Sequence, residues 1–243
     1  DERGGMSRGS VEGAPGRDVV TTLDDAVSHV RAGDSVHVLC SHTRFSAAAR
    51  ALVRRWWGRE PGWTLVMLSL SSMGAIFFPP APGEPGLVRK VVTGYSGDVF
   101  PNFTPNPRFS RAYLSGEVEV EHWSFLAFAQ RMEAAARGLP AVTTRSLAGS
   151  SMADNDGYAE VDSPFGPLGL LEAYAPDVAV VHAAVADRAG NLAFHPPLLE
   201  GLWGALAARR GVVASVERVV DDITPWSHLV GVPAHRVLAV AEA

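Results

Sequence analysis

Residues Cys40, Ser41, His42, Thr43 and Arg44 stand together between the apolar run SVHVLC and the pattern FSAAARALVRRWW, and each brings a different chemistry. A thiolate attacks acyl carbonyls, an imidazole carries a proton near neutral pH, and a guanidinium holds a carboxylate or phosphate with paired hydrogen bonds. Backbone amides at the start of a helix add a preference for anions. The spacing therefore offers Cys40 as a nucleophile and His42 as a base, with Ser41, Thr43 and Arg44 binding substrate. The same residues also suit a polar turn that caps a helix, and position alone leaves both readings open.

Two more loops of small residues have the same character. SLSSMGA offers Ser71, Ser72 and Gly74, and LAGSSMADNDG offers Ser150 and Ser151, as hydroxyls and amides able to meet a substrate; tight turns favour the same residue types. Glu117, Glu119 and Glu121 alternate along GEVEVEH, which in a strand places them on one face. Glu119 is thus a candidate for acid/base or covalent work, against the plainer reading of a solvated strand face. His182 and His195 flank an apparent hairpin without a spacing partner and read as structural. The chain carries no Walker loop, GxGxxG fingerprint or HExxH, and no Cys/His spacing of a zinc site, so no metal or redox cofactor is expected.

These loops need elements to hold them. TTLDDAVSHVRAGDSV sets Thr22 three residues before Asp25 and places Leu23, Ala26, Val27 and Val30 on one helical face, with Gly33 as the stop. SVHVLC then reads as a buried strand, FSAAARALVRRWW as a helix and WTLVMLSLSS as a second strand, the order of a parallel unit. Residues 77–107 are crowded with Pro and Gly and read as loop around the strand LVRKVVTGY. SFLAFAQRMEAAARGLP is a helix with Ser124 as cap and Gly138 beyond its end; PAVTT follows as a strand. DVAVVHAAVADRAGNLAF reads as a strand, a turn at residues 187–191 and a return strand, before the helix LLEGLWGALAARRG and the strand VVASVERVV. The fold class is α/β, a largely parallel sheet flanked by helices.

The 243 residues, 47% hydrophobic with a formal net charge of -5, suit one globular α/β domain over residues 18–243 and argue against a nucleic-acid partner. The Gly-, Arg- and Ser-rich residues 1–17 read as a flexible leader. A single cysteine allows no intrachain disulfide. No apolar run is long enough to span a membrane, and a reducing, cytoplasmic setting is expected.

One stretch, NPRFSRAYLSGEVEVEHWSFLAFAQRMEAAARGLPAVTT, resembles the alpha-type half of the family I CoA-transferases, in which YLSGE leads into alternating glutamates, an amphipathic helix and a Gly-Leu-Pro exit. DVAVVHAAVADRAGNLAF resembles the hairpin of that family, and TTLDDAVSHVRAGDSV its opening helix and strand. The resemblance runs from about Thr21 to Val240, and it is nearest to the glutaconate CoA-transferase alpha type and to the alpha half of an acyl-CoA ring-opening hydrolase.

The resemblance implies a family I CoA-transferase-like fold and a coenzyme A thioester as substrate. Thr43 and Arg44 match the Thr-Arg element of the family's first loop, but Cys40, Ser41 and His42 stand where relatives carry glycines. The attacking glutamate of the family belongs to a beta-type subunit. SLSSMGA, at the matching place, has no acid, so the resemblance implies a beta-type partner in a heterodimer or heterotetramer. Transfer, hydrolysis and decarboxylation of an acyl-CoA all remain open, as does a purely structural subunit. VLAVAEA ends near where relatives continue, which fits either a short member of the family or a piece of a longer chain.

Overall fold

Thr22 opens the first helix. Its hydroxyl accepts the Asp25 amide at 3.2 Å and starts α1, Leu23–Ala26, as the Thr-x-x-Asp spacing predicts. Gly33, at φ +77°, turns the chain into β1, Ser35–Val38. In the computed structural model the described residues are 17–39, 46–70, 74–97, 104–196, 198 and 202–243. The expected leader thus lies outside them except for Arg17, whose guanidinium donates to the carbonyls of Ala234 and Val237.

From β1 the chain builds a parallel array. α2, Ser46–Trp56, leads to β2, Trp63–Ser69, and then to β3, Val88–Tyr95. Val36 lies opposite Leu65, and Leu65 opposite Val91, with all strands parallel. A helix passed over in the sequence follows: α3, Pro107–Leu114, is capped by Asn106, whose side chain accepts from the Arg108 amide at 2.9 Å, and carries proline in its first turn. β4, Glu119–His122, pairs parallel with β3.

α4, Phe125–Ala136, starts at Ser124, which accepts the Ala127 amide at 3.1 Å, and Gly138 at φ +72° lies just past its end. The next strand, β5, Ala141–Thr144, leaves the main sheet. With β6, Tyr158–Val161, and β7, Leu168–Glu172, it forms an antiparallel sheet in the order β5-β7-β6. β6 is exposed along most of its length, which a strand covered by helices on both faces is not.

The remainder returns to the main sheet through β8, Val178–Asp187, β9, Leu192–Ala193, α5, Trp203–Ala207, β10, Gly211–Val220, β11, Val230–Val232, and β12, Val237–Glu242. Among the described residues this sheet has nine strands: the parallel order is β4-β3-β2-β1-β8-β10-β12, and β9 and β11 add to it antiparallel. One face packs Val36, Val38, Leu65 and Val180 against α1 and α2 residues such as Ala26 and Leu52. The other packs Leu39, Ala179 and Val181 against Ala205 and Ala208, in and just after α5. Helices on both faces of a mainly parallel sheet make this the α/β class read from the sequence.

His37 shows how tightly the second face is closed. Its ring is fully buried in β1, with Nδ1 3.1 Å from the Val66 carbonyl, and a Cβ at Gly204 would stand 2.4 Å from the ring. Burial lowers the imidazole to about pKa 4, opposed only by the hydrogen bond to Val66. The ring is therefore neutral in the folded state, while the unfolded chain takes up a proton below about pH 6.5. Stability is fully present above that pH and is lost toward pH 4, by about 2 kcal/mol at pH 5. Urea titrations at about pH 7.5 and 5.0 should show this loss, and His37→Leu should lack that share of it; equal losses in the two proteins would assign the acid sensitivity elsewhere.

Candidate functional site

Parallel strands end together, and ligands bind where their carboxyl ends meet the starts of the following helices. β1 and β2 are neighbours in the middle of the sheet and end at Val38 and Ser69, and β3 ends beside them at Tyr95. Cys40, Ser41, His42, Thr43 and Arg44 follow β1, and Ser71 and Ser72 follow β2; all seven lie outside the described residues. Their anchors are well held. The Leu39 amide donates to Val180 at 3.1 Å and the Leu70 amide to Tyr95 at 2.7 Å. α2 begins at Ser46 and runs back from this edge.

Gly74 is buried at the start of a short 3₁₀ turn, where a Cβ would stand 2.7 Å from Leu70 Cδ1, so packing accounts for its small size. Ser150 and Ser151 are exposed; Ser150 Oγ donates to the Leu147 carbonyl at 2.8 Å. Farther along the same loop, the Asn155 side chain donates to the His122 carbonyl at 2.7 Å and so fastens the loop to the end of β4.

Of the alternating glutamates, Glu119 and Glu121 share a face of β4 and are engaged there, while Glu117 lies before the strand begins. Glu119 lies at the start of β4 and pairs with Lys90 at 2.9 Å. Glu121 accepts from Lys90 at 2.9 Å, from Arg131 at 2.9 Å and from the Trp123 indole at 2.6 Å. Burial raises the Glu121 carboxyl, but the hydrogen bonds from Lys90, Trp123 and Arg131 outweigh it and hold the group below the usual carboxylate range. The buried Arg131 guanidinium lies 4.2 Å from the centre of the Trp123 ring and donates from Nε to the Glu172 carbonyl at 3.0 Å. This cluster ties β4 and α4 to the small sheet.

A polar group not assembled from the sequence sits midway along β8 and β10, level with the residues that follow β1. His182 lies on β8 two residues past Val180, the carbonyl that receives the Leu39 amide, and so beside the exit of β1. Its Nδ1 is 2.9 Å from the buried Ser215 Oγ, and its Nε2 is 3.1 Å from Glu217 Oε1. The β8–β10 register sets Ser215 directly opposite His182. The available signal was the pair of polar residues two apart in the apolar strand VVASVERVV. His195, just past β9, is exposed. Among the described residues no cluster of His, Cys, Asp and Glu side chains is placed to hold a metal ion, and no helix is long and apolar enough to cross a membrane.

Known proteins resemble the chain in sequence and in fold. The family model of the coenzyme A transferases matches residues 20–243. A succinyl-CoA:3-ketoacid coenzyme A transferase subunit of Xanthomonas campestris pv. campestris is 34% identical over 155 residues, 62% of this chain and 60% of that protein. The cholesterol ring-cleaving hydrolase IpdA subunit of Rhodococcus jostii is 30% identical over 220 residues, 84% of this chain and 70% of that one. The crystal structure of glutaconate coenzyme A-transferase from Acidaminococcus fermentans has the same fold, with a TM-score of 0.80 at 21% identity over 93% of this chain and 75% of that one. The chain spans about a third to two thirds of the length of the first curated relatives it matches. With nearly all of its described residues inside the match, the chain belongs to the coenzyme A transferase family.

Proposed function

We propose that the protein is the alpha-type subunit of a heteromeric, cytoplasmic enzyme that acts on an acyl-CoA thioester, with a beta-type partner supplying the attacking glutamate. The observation that carries this reading is the adjacency of β1, β2 and β3 at the centre of the parallel sheet, within a family match that covers residues 20–243. The thioester lies across those strand ends. In this reading residues 40–44 and 71–74, which follow β1 and β2 in the chain, supply amides and hydroxyls for the oxygen on which charge builds. Arg44 is assigned to an anionic group of the substrate, and Cys40 and His42 to the roles of nucleophile and base. His182, fixed from both ring nitrogens by Ser215 and Glu217, is a positioning residue that sets the floor beside the exit of β1.

A second reading, hydrolysis in place of transfer, is favoured by the 30% identity over most of the chain to a protein named as a hydrolase. One experiment separates the two. The chain is purified with its beta-type partner and incubated with an acyl-CoA, a second carboxylic acid and ¹⁸O-water. Coenzyme A appearing on the second acid, with a hydroxylamine-sensitive glutamyl thioester on the partner, establishes transfer. Release of ¹⁸O-labelled free acid without exchange establishes hydrolysis. A partnerless homo-oligomer without acyl-CoA turnover would sink the proposal.

A further inference from the structure

A cavity of about 390 Å³ opens between α3 and the end of β4, within the size range of small-molecule sites. Its apolar walls are formed by Phe109, Tyr113, Leu114 and Val120; Ser110 lines it from α3, and Ser96 and His122 stand together where β3 and β4 end. Ser96 Oγ and His122 Nε2 are 3.4 Å apart. Burial pulls the imidazole below its ordinary pKa and keeps it uncharged at neutral pH. Phe109 and Tyr113 are stacked with ring centres 6.2 Å apart, and Tyr113 and Leu114 remain 53% and 82% exposed, unusual for side chains of that size. None of the described side chains lining the cavity is a Lys, Arg, Asp or Glu. The glutamates of β4 point to its opposite face, into the Lys90–Arg131 cluster.

We propose that this cavity receives the acyl group of the thioester, and that the group is apolar and uncharged, a ring or a branched chain. This rests on the acyl-CoA reading above and deepens it. β4 stands three strands from β1, and at a spacing of ~4.8 Å the cavity lies on the order of 14 Å along the edge from the exit of β1. A thioester held at the β1 and β2 exits with its acyl chain laid across the end of β3 would reach the cavity. A short dicarboxylic acyl group would bring its free carboxylate against largely apolar walls with no cation among the described lining residues to meet it, which disfavours it. Ser96 and His122, at the mouth, suit a hydroxyl or carbonyl on the chain.

The test uses the complex with its beta-type partner and three probes: cyclohexanecarbonyl-CoA, succinyl-CoA and acetyl-CoA. Wild type should favour cyclohexanecarbonyl-CoA over succinyl-CoA by at least about tenfold in kcat/KM. Ser110→Trp, which fills the cavity from α3, should lower kcat/KM for the cyclohexane substrate about thirtyfold while leaving acetyl-CoA within about threefold. Leu114→Asp changes an exposed rim side chain that folding does not need, and should act in the same direction. A wild-type preference for succinyl-CoA, or equal losses on the cyclohexane and acetyl substrates in the variants, would overturn the cavity assignment and leave the acyl-CoA reading standing. If the wild-type complex turns over no CoA thioester, the functional proposal falls and the cavity assignment falls with it.

Discussion

Replacing His182 by Ala in the assembled enzyme is expected to lower kcat about a hundredfold with little change in KM, the cost of letting a site element drift by about an ångström. The ring is held at Nδ1 by Ser215 and at Nε2 by Glu217, so it orients both and is oriented by them. Its removal also leaves the buried Ser215 hydroxyl without that partner, which costs about 1–3 kcal/mol of stability. The two effects separate on measurement. Steady-state kinetics at saturating acyl-CoA report the first, and urea unfolding of the same sample reports the second. His182→Gln, which reaches Ser215 but does not bridge to Glu217 with a second ring nitrogen, should recover much of the stability and little of the rate. A variant that loses stability while keeping kcat within about twofold would make His182 a core residue and nothing more.

Arg131→Met should produce the largest loss of stability, about 3 kcal/mol, read as a shift of the urea midpoint. The guanidinium is buried, lies over the Trp123 ring, donates to the Glu172 carbonyl and pairs with Glu121 at 2.9 Å. Methionine keeps much of the volume, but it leaves a half-buried carboxylate with Lys90 as its remaining cation. Adding Glu121→Gln should therefore return part of the loss, because the uncompensated charge goes with it. Strictly additive losses would mean that packing over Trp123, rather than the ion pair, carries the contribution.

What was legible in the sequence was local. Thr22, Ser124, Gly33 and Gly138 mark helix starts and turns because caps and left-handed residues act over three or four positions. The apolar runs of β1, β2 and β8 identified interior strands of a parallel sheet. α3 was hidden in a stretch dominated by Pro and Gly, although Asn106 followed by Pro107 is a helix-start signal. The small sheet was not legible because β6 carries no buried face, and its pairing is a matter of register rather than of pattern. The same limit hid half of the candidate site. Glu119 and Glu121 announced themselves by alternation, yet Lys90, which engages both, reaches them only through the β3–β4 register. His182, Ser215 and Glu217 are brought together only by the pairing of β8 with β10.

The place of β1 in the sheet also fixes an order in time. Its neighbour on one side, β2, follows almost at once, but the other, β8, arrives only after the whole of the small sheet, and Asp177, which accepts from Ser35 at 2.8 Å, lies 142 residues away in the chain. While the chain is being synthesised, β1 through β4 can associate, yet the β1 side of that half-sheet stays an open edge of apolar strand until β8 emerges. Closing so long a loop is slow compared with pairing neighbours. The strand that leads to Cys40 is thus the first of the first four parallel strands to be made and the last of β1, β2 and β3 to be enclosed, and the nascent half-sheet is a stage at which this chain is prone to join a second copy of itself.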